Sequence, residues 1–154
     1  MKARLQLLLT GAMAAIFSNG LLGCKSLDKT AAESFASVRI DSHTPEQIRG
    51  ATAVVFRQEG YTAVEVRKPE LVFEKEGSLW DQLAYGSWVN DRDVWIRVRV
   101  SLVSLSDGAF RLQCQAFKVR NKGDPLTEDQ VRIGNTQRKP FQALMDRVAE
   151  QLKR

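Results

Sequence analysis

The sequence predicts an α+β domain in which an antiparallel sheet of four to five strands carries two helices on one face. Apolar residues alternate along VWIRVRVSLV (94–103) and AFRLQCQAFKV (109–119), which is the period of a strand. They recur every three to four positions in two other segments, which is the period of a helix with one buried face. A sheet with both helices packed on one face buries all of these apolar stripes.

The first helix is predicted over residues 45–59, within SHTPEQIRGATAVVFRQEGY. Thr44 and Gln47 have the spacing of a capping box, Pro45 suits the first helical position, and Gly60 suits the stop. The neighbouring His43 is expected to be a solvent-exposed loop residue rather than a catalytic base. The residues expected to share the buried face are Ile48, Thr52, Val55 and Phe56.

Short strands are predicted on both sides of this helix. Residues 36–40 precede it, and YTAVEVR and ELVFEK follow it, separated by Lys68 and Pro69. The two later segments predict an antiparallel hairpin, and the alternation in YTAVEVR predicts a half-buried strand.

The two long strands constrain their own connection. A two-residue turn at Asp107 and Gly108 would place Leu102 opposite Gln113, an apolar residue against a polar one. We therefore expect a longer loop or a bulge to correct the register. The corrected pairing sets Leu102 opposite Leu112, Val100 opposite Cys114 and Arg97 opposite Phe117.

The C-terminal helix is predicted within KPFQALMDRVAEQLKR, with Pro140 near its start and basic residues at its end. Its apolar face comprises Phe141, Leu144, Val148 and Leu152. The preceding NKGDPLTEDQVRIGNTQ predicts a loop with a short strand near Val131. The resulting order of elements resembles that of the BamC-type helix-grip domains of envelope lipoproteins. That resemblance is limited to element order, so no functional residue is carried over.

The N-terminal segment has the layout of a secretory signal. Lys2 and Arg4 precede a charge-free stretch from Leu5 to Gly23, and its apolar centre at 7–17 is too short for a spanning helix. The stretch ends in Leu21-Leu22-Gly23-Cys24, which resembles the lipobox of bacterial lipoproteins. The alternatives are an ordinary signal peptide that is cut nearby, or a coincidental cysteine.

The lipobox resemblance implies cleavage after Gly23, a diacylglycerol thioether on Cys24 and, usually, acylation of the new amino terminus. Two or three acyl chains hold a protein stably on a bilayer without spanning it. In Gram-negative lipoproteins an aspartate after the cysteine usually signals inner-membrane retention, so Lys25 favours the outer membrane in such a cell. With Cys24 acylated, Cys114 has no disulfide partner in the chain, and its apolar setting favours a buried, inert thiol over a reactive one.

Three regions are therefore predicted: a signal peptide at 1–23, a lipidated N-terminus with a short tether at 24–35, and one α+β domain at 36–154. Removal of the leader takes away Lys2 and Arg4 and leaves 21 basic against 18 acidic side chains. This mild charge in an envelope protein makes nucleic acid an unlikely partner. The tether could span no more than about 35 Å, so the domain stays near the membrane.

Two groups of residues are candidate partner-binding sites. Trp80, Tyr85 and Trp88 lie in LWDQLAYGSW, an unusual density of aromatics between strands. Arg97 and Arg99 alternate on one strand face and could receive a carboxylate or an acidic partner. The alternative interpretations are an aromatic cap on the core for the first group and a solvated face for the second.

The sequence favours a noncatalytic protein. It contains no hydrolase, metalloprotease, phosphate-binding or EF-hand motif, and we predict no catalytic residue, metal site or cofactor. The favoured function is a membrane-anchored binding, assembly or scaffold module that contacts another envelope protein or peptidoglycan. The alternative is a ligand-holding or hydrolytic domain with a cavity between helix and sheet.

Overall fold

The computed structural model of the protein describes residues 34–67, 70–78 and 94–154. The predicted signal peptide, Gly23, Cys24 and most of the tether lie outside these residues. The elements in chain order are β1 (Ala36–Ile40), α1 (Pro45–Gln58), β2 (Thr62–Arg67), β3 (Glu70–Glu76), β4 (Trp95–Ser104), β5 (Phe110–Arg120), β6 (Asp129–Arg132), a 3-10 turn (Asn135–Gln137) and α2 (Lys139–Gln151).

The strands form one antiparallel sheet in the order β1-β5-β4-β3-β2, and β6 pairs with the far end of β5. The predicted α+β class is confirmed, with β6 as a sixth strand at the place where a short strand near Val131 was expected. Its four residues are all exposed. The weak sequence pattern of β6 follows from this exposure, because neither of its faces needs to be apolar.

One hydrophobic core lies between the sheet and the two helices. Each central strand contributes the alternate residues that face the helices, as their period of two requires. The opposite face of the sheet, here called the outer face, carries mainly polar and charged side chains. The buried residues from the sheet are Leu71 and Phe73 of β3, Ile96, Val98 and Val100 of β4, and Leu112, Cys114 and Ala116 of β5, and those from the helices are Ile48, Val55, Phe56, Phe141, Leu144, Met145 and Val148.

Helix α1 begins as the sequence predicts. The Thr44 hydroxyl accepts a hydrogen bond from the Gln47 amide at 3.3 Å, and the Gln47 side chain accepts one from the Thr44 amide at 2.9 Å. All four residues expected on its buried face are buried. The helix ends one residue before the predicted boundary, and Gly60 follows with a φ of 81°.

His43 lies in a loop, as expected, but the expectation that it is solvent-exposed is wrong. Its side chain is only half-exposed, and its two ring nitrogens lie 2.7 Å from the Asp41 carbonyl oxygen and 3.0 Å from the Leu152 carbonyl oxygen. Leu152 follows the last residue of α2. His43 therefore joins the start of α1 to the end of α2, a long-range contact that sequence periodicity cannot show.

The β2–β3 hairpin is confirmed, but the half-buried alternation predicted for β2 is wrong at its start. Thr62, Ala63 and Val64 are all exposed, and Val64 is 54% exposed. β2 is the edge strand of the sheet, and its register shifts between Ala63 and Glu65. An irregularity of this kind at an edge changes which side chains face the core.

The corrected register between β4 and β5 is confirmed. Leu102 pairs with Leu112, Val100 with Cys114, and Arg97 with Phe117. The strands are joined by residues 105–109 rather than by a two-residue turn, with the Leu105 amide donating to the Ala109 carbonyl at 2.8 Å. The need to match apolar faces thus sets the length of the loop.

Helix α2 covers the free edge of β1. The Gln142 side chain donates to the Ser37 carbonyl at 2.9 Å and accepts from the Ser37 amide at 3.3 Å. These two bonds replace those of a neighbouring strand and block further strand addition there. The predicted apolar face of α2 is confirmed at Phe141, Leu144 and Val148. Leu152 is partly buried, and Met145 adds a fully buried residue to this face.

Candidate functional site

The two candidate arginines lie side by side on the outer face of β4, but their surroundings differ. Arg97 pairs with Glu74 on one side and with Phe117 on the other, whereas Arg99 pairs with Val72 and Gln115. Side chains directly opposite each other on neighbouring strands share a face and contact one another. Arg97 therefore lies beside an acidic residue, and Arg99 lies between uncharged ones.

Arg97 belongs to an ion network with two carboxylates. Its guanidinium donates to Glu74 through Nε and to both carboxylate oxygens of Glu128, at 2.6 and 3.3 Å. Lys122 adds a second cation, with its ammonium 2.7 Å from Glu74 Oε2. Glu74 is only 1% exposed, so the two cations neutralise a carboxylate that would be costly to bury alone. We refer to Glu74, Arg97, Lys122 and Glu128 as the ion network.

The turn between β5 and β6 supplies two of the four residues of the ion network, Lys122 and Glu128. Asn121 and Gly123 adopt positive φ values of 54° and 82°, which suit an asparagine and a glycine. The Asn121 side chain donates to the Thr127 carbonyl at 2.8 Å, and Asp124 Oδ1 accepts from the Leu126 amide at 2.9 Å. These local bonds fold residues 121–128 back over the outer face of the sheet.

Two members of the network, Glu128 and Arg97, have pKa values shifted in favour of their charged forms. The hydrogen bond from Arg97 lowers the pKa of Glu128 to about 2, with a further contribution from the Gly123 amide at 3.0 Å. Burial alone would lower the pKa of Arg97, but its hydrogen bonds to Glu128 and Glu74 outweigh burial and raise it. Arg97 therefore already binds two carboxylates of its own chain, and this limits its capacity to bind the carboxylate of a partner.

Aromatic rings on the outer face contact two of the cations. The Lys122 ammonium lies 3.5 Å from the centre of the Trp95 ring, and the Arg99 guanidinium lies 5.0 Å from that of Phe117. Both distances are within the range of a cation–π contact. The outer face around Arg97 and Arg99 is therefore not simply solvated, because its cations contact carboxylates or aromatic rings of the chain.

Arg99 borders a small polar cleft that the ion network does not fill. The cleft has a volume of about 140 Å³, and Arg99 itself is half-exposed with one hydrogen bond to Gln130 at 3.2 Å. Gln113 donates to the Ser101 hydroxyl at 3.3 Å within the cleft. The residues that line the cleft are Ser34, Glu70, Arg99, Ser101, Gln113, Cys114 and Gln115.

The side-chain oxygen of Gln113 is buried and receives no hydrogen bond from the described residues. A buried acceptor of this kind is normally satisfied by water or by a ligand. The cleft thus offers a cation at Arg99, an acceptor at Gln113 and an anion at Glu70.

The aromatic candidates Trp80, Tyr85 and Trp88, like the lipidation candidates Gly23 and Cys24, lie outside the described residues. Their predicted roles stay predictions. Sequence reasoning missed Glu74, Lys122 and Glu128, which are separated along the chain by up to 54 positions and meet only through strand register and the fold of the β5–β6 turn. It also missed Gln113 as a buried acceptor. The alternation along β5 does indicate that Gln113 points away from the core.

Cys114 is buried, as predicted. Burial raises the pKa of its thiol to about 12, so the thiolate is scarce near neutral pH. Within residues 34–67, 70–78 and 94–154, no cluster of three or more histidine, cysteine, aspartate or glutamate side chains is placed to hold a metal ion. In the same ranges no helix has the length and apolarity needed to cross a membrane.

Comparison with known proteins provides no family assignment. No protein-family model matches the chain, and no curated protein matches it significantly. The functional argument therefore depends on the chain's own residues.

Proposed function

We propose that the protein is a membrane-anchored envelope lipoprotein whose α+β domain is a noncatalytic binding or assembly module. The observation that carries this proposal is the basic and then apolar leader that ends in Leu21-Leu22-Gly23-Cys24. The domain starts shortly after it, since Phe35 and Ala36 are already buried in the core. An acylated Cys24 would place this compact domain on a bilayer, with the outer membrane favoured in a Gram-negative cell.

The chain enters the domain beside the polar cleft. Ser34 lines this cleft together with Arg99, and it also lines a second surface depression with Arg132 and Asn135. Ser34 lies ten positions after Cys24 along the chain, which corresponds to at most about 35 Å of extended chain. A partner bound at the cleft would therefore lie close to the membrane surface.

The chemistry of the cleft favours a partner that carries a carboxylate. Arg99 can bind a carboxylate through two parallel hydrogen bonds, and the Phe117 ring supports the guanidinium from below. Gln113 can accept a hydrogen bond from a neighbouring N–H of the same partner. An acidic segment of another envelope protein or a peptidoglycan peptide supplies both groups. The aromatic residues Trp80, Tyr85 and Trp88 remain proposed contributors to this contact.

The most reactive side chains of the described chain have structural positions that suit a noncatalytic role. The Cys114 thiol is buried with a raised pKa, and both ring nitrogens of His43 contact backbone carbonyls. Cys114 lies in the middle of β5, and His43 precedes α1. A binding function uses the outer face and needs neither of them.

The anchor is tested by comparing the two cysteines. Cys24→Ser should release the protein from the membrane fraction of expressing cells and abolish the mass increase of an acylated N-terminus. Cys114→Ala is the matched control and should keep both properties. Mass spectrometry of wild-type mature protein that shows an unmodified Cys24 thiol would remove the basis of the proposal.

The binding surface is tested by crosslinking in intact cells, followed by identification of the neighbouring molecules. Arg99→Ala should deplete the main crosslinked partner, as should the double change Trp80→Ala with Trp88→Ala if the aromatic segment contributes. Arg120→Ala is the control, because Arg120 is an exposed arginine at the end of β5 that pairs with Asp129 and does not line the cleft. An unchanged crosslinking pattern in the Arg99 variant would exclude the cleft as the contact site.

A further inference from the structure

Glu70 and Arg99 place opposite charges on the walls of the polar cleft. Glu70 of β3 pairs with Ser101 of β4, and Ser101 pairs with Gln113 of β5, so these three residues form one row across the outer face. Arg99 lies two positions before Ser101 on the same strand and the same face. Residues in this diagonal relation to each other, such as Glu70 and Arg99, are about 7–8 Å apart, within reach of long side chains.

The three polar groups of the cleft are directed in a way that suits a ligand. Glu70 and Arg99 do not form an ion pair with each other in the described chain. The Arg99 guanidinium instead donates to Gln130 at 3.2 Å and lies 5.0 Å from the centre of the Phe117 ring. A guanidinium has several N–H donors, so this one bond leaves donors for a ligand. The buried side-chain oxygen of Gln113 adds an acceptor that no described residue satisfies.

We infer that the cleft binds an α-amino acid head group, in which an ammonium and a carboxylate are attached to one carbon. Arg99 binds the carboxylate, and Glu70 and Gln113 Oε1 accept hydrogen bonds from the ammonium. The cleft volume of about 140 Å³ is below the range of about 300–1,000 Å³ for drug-sized ligands, so it fits a head group whose remainder extends into solvent. This inference rests on the proposed binding function of the cleft and adds the role of Glu70.

Glu70 distinguishes this ligand from a simple acidic partner. A carboxylate bound at Arg99 brings negative charge close to Glu70, and a ligand without a cation beside its carboxylate leaves this repulsion uncompensated. An internal acidic residue of a protein carries no such cation. A diamino diacid residue of a peptidoglycan peptide carries the complete head group at the end of its side chain, and so does a free amino acid.

The inference is tested by NMR titration of the mature chain, residues 24–154 with Cys24→Ser, so that no detergent is present. Alanine is the probe, N-acetylalanine keeps the carboxylate and an N–H but lacks the ammonium, and propanoate and ethylammonium carry one charge each. At equal ionic strength we expect saturable changes in the amide shifts of Arg99, Ser101 and Gln113 with alanine. Binding of the other three compounds should be weaker by about tenfold or more.

Glu70→Gln tests the ammonium site directly. It should weaken alanine binding by about tenfold and should not weaken N-acetylalanine binding, because only the ammonium uses Glu70. Glu76→Gln is the matched control, since Glu76 lies on the same strand and face but is exposed and does not line the cleft. Arg99→Met should weaken the binding of both compounds, and the amide spectra verify that each variant is folded.

Sedimentation with purified peptidoglycan separates the two sources of the head group. Wild-type protein should sediment with the polymer, and either Glu70→Gln or acetylation of the free amino groups of the polymer should weaken this binding by about tenfold. Alanine binding without sedimentation would support the head-group site with a free amino acid as its ligand.

Equal binding of alanine and N-acetylalanine by wild type, or an unchanged alanine affinity after Glu70→Gln, would overturn the inference but leave a carboxylate site at Arg99. Wild-type protein that binds none of the four compounds and does not sediment with peptidoglycan would also overturn it. The proposed binding function is then decided separately, by the crosslinking pattern of Arg99→Ala in intact cells.

Discussion

Glu74 and Arg97 form an ion pair across neighbouring strands on the face of the sheet that the helices leave uncovered. Glu74 is nevertheless 1% exposed, because the β5–β6 turn folds over it and adds Lys122 and Glu128. The pair thus lies on the outer face of the sheet, although Glu74 is as buried as a core residue. Breaking the pair should therefore change the free energy of unfolding as much as breaking a buried ion pair does.

Arg97→Met should lower the free energy of unfolding by about 3 kcal/mol, because it leaves the buried Glu74 carboxylate with Lys122 as its remaining cation. Urea denaturation measures this change. Arg120→Met is the matched control, since the Arg120–Asp129 pair is nearly half-exposed on both sides and should contribute about 0.5 kcal/mol or less. Equal effects of the two substitutions would show that Glu74 is not effectively buried.

The pKa of Glu128 provides a second test of the same network. Arg97 holds it at about 2, so Arg97→Met should raise it towards the ordinary value of about 4.3. Carboxyl-carbon NMR titration measures the pKa directly. Arg120→Met should leave it at about 2, and a Glu128 pKa that is already ordinary in wild type would contradict the hydrogen-bond geometry.

The lowered pKa also predicts how stability depends on pH. A carboxyl whose folded pKa lies below its unfolded pKa contributes stability that is complete above the unfolded value and is lost as the pH falls through the folded one. The contribution of Glu128 should therefore be present above about pH 4.5 and decline towards pH 2. Glu128→Gln should flatten the acid limb of the unfolding free energy in this window, and an unchanged limb would refute the prediction.

Edge protection by Gln142 predicts a local effect on β1. Gln142→Ala removes both side-chain bonds to Ser37 and should cost about 1–2 kcal/mol of unfolding free energy. Hydrogen exchange of the Ser37 amide should quicken by about tenfold or more, since its acceptor is lost. Glu150→Ala is a control on an exposed position of the same helix and should leave that exchange rate unchanged.

The elements that the sequence predicted well are those in which burial imposes a period. The face of α1 and the register of β4 against β5 follow from the need to keep apolar residues on one side, and both are confirmed. The same logic failed at β2, where an edge position and a register shift leave Val64 exposed. Periodicity is informative only where both neighbours of a strand and a covering layer constrain it.

The candidate site was less predictable than the fold for a related reason. Alternation placed Arg97 and Arg99 on the outer face, but it could not indicate that Glu128 would be carried over Arg97 by a turn 31 residues later. The two arginines have similar sequence surroundings and different structural ones. Their separate roles depend on long-range contacts, which one sequence does not encode in any local pattern.

The two cysteines allow a final prediction that joins the fold to the proposed anchor. Burial raises the pKa of the Cys114 thiol to about 12, so native protein should react negligibly with a thiol reagent at pH 8 at this residue. In denaturant Cys114 becomes accessible and should react rapidly. If Cys24 is acylated, unfolded wild-type mature protein should show one reactive thiol, and Cys114→Ala should show none. Two reactive thiols in unfolded mature protein would contradict the anchor, and rapid reaction of Cys114 in the native state would contradict the position given to it in the core.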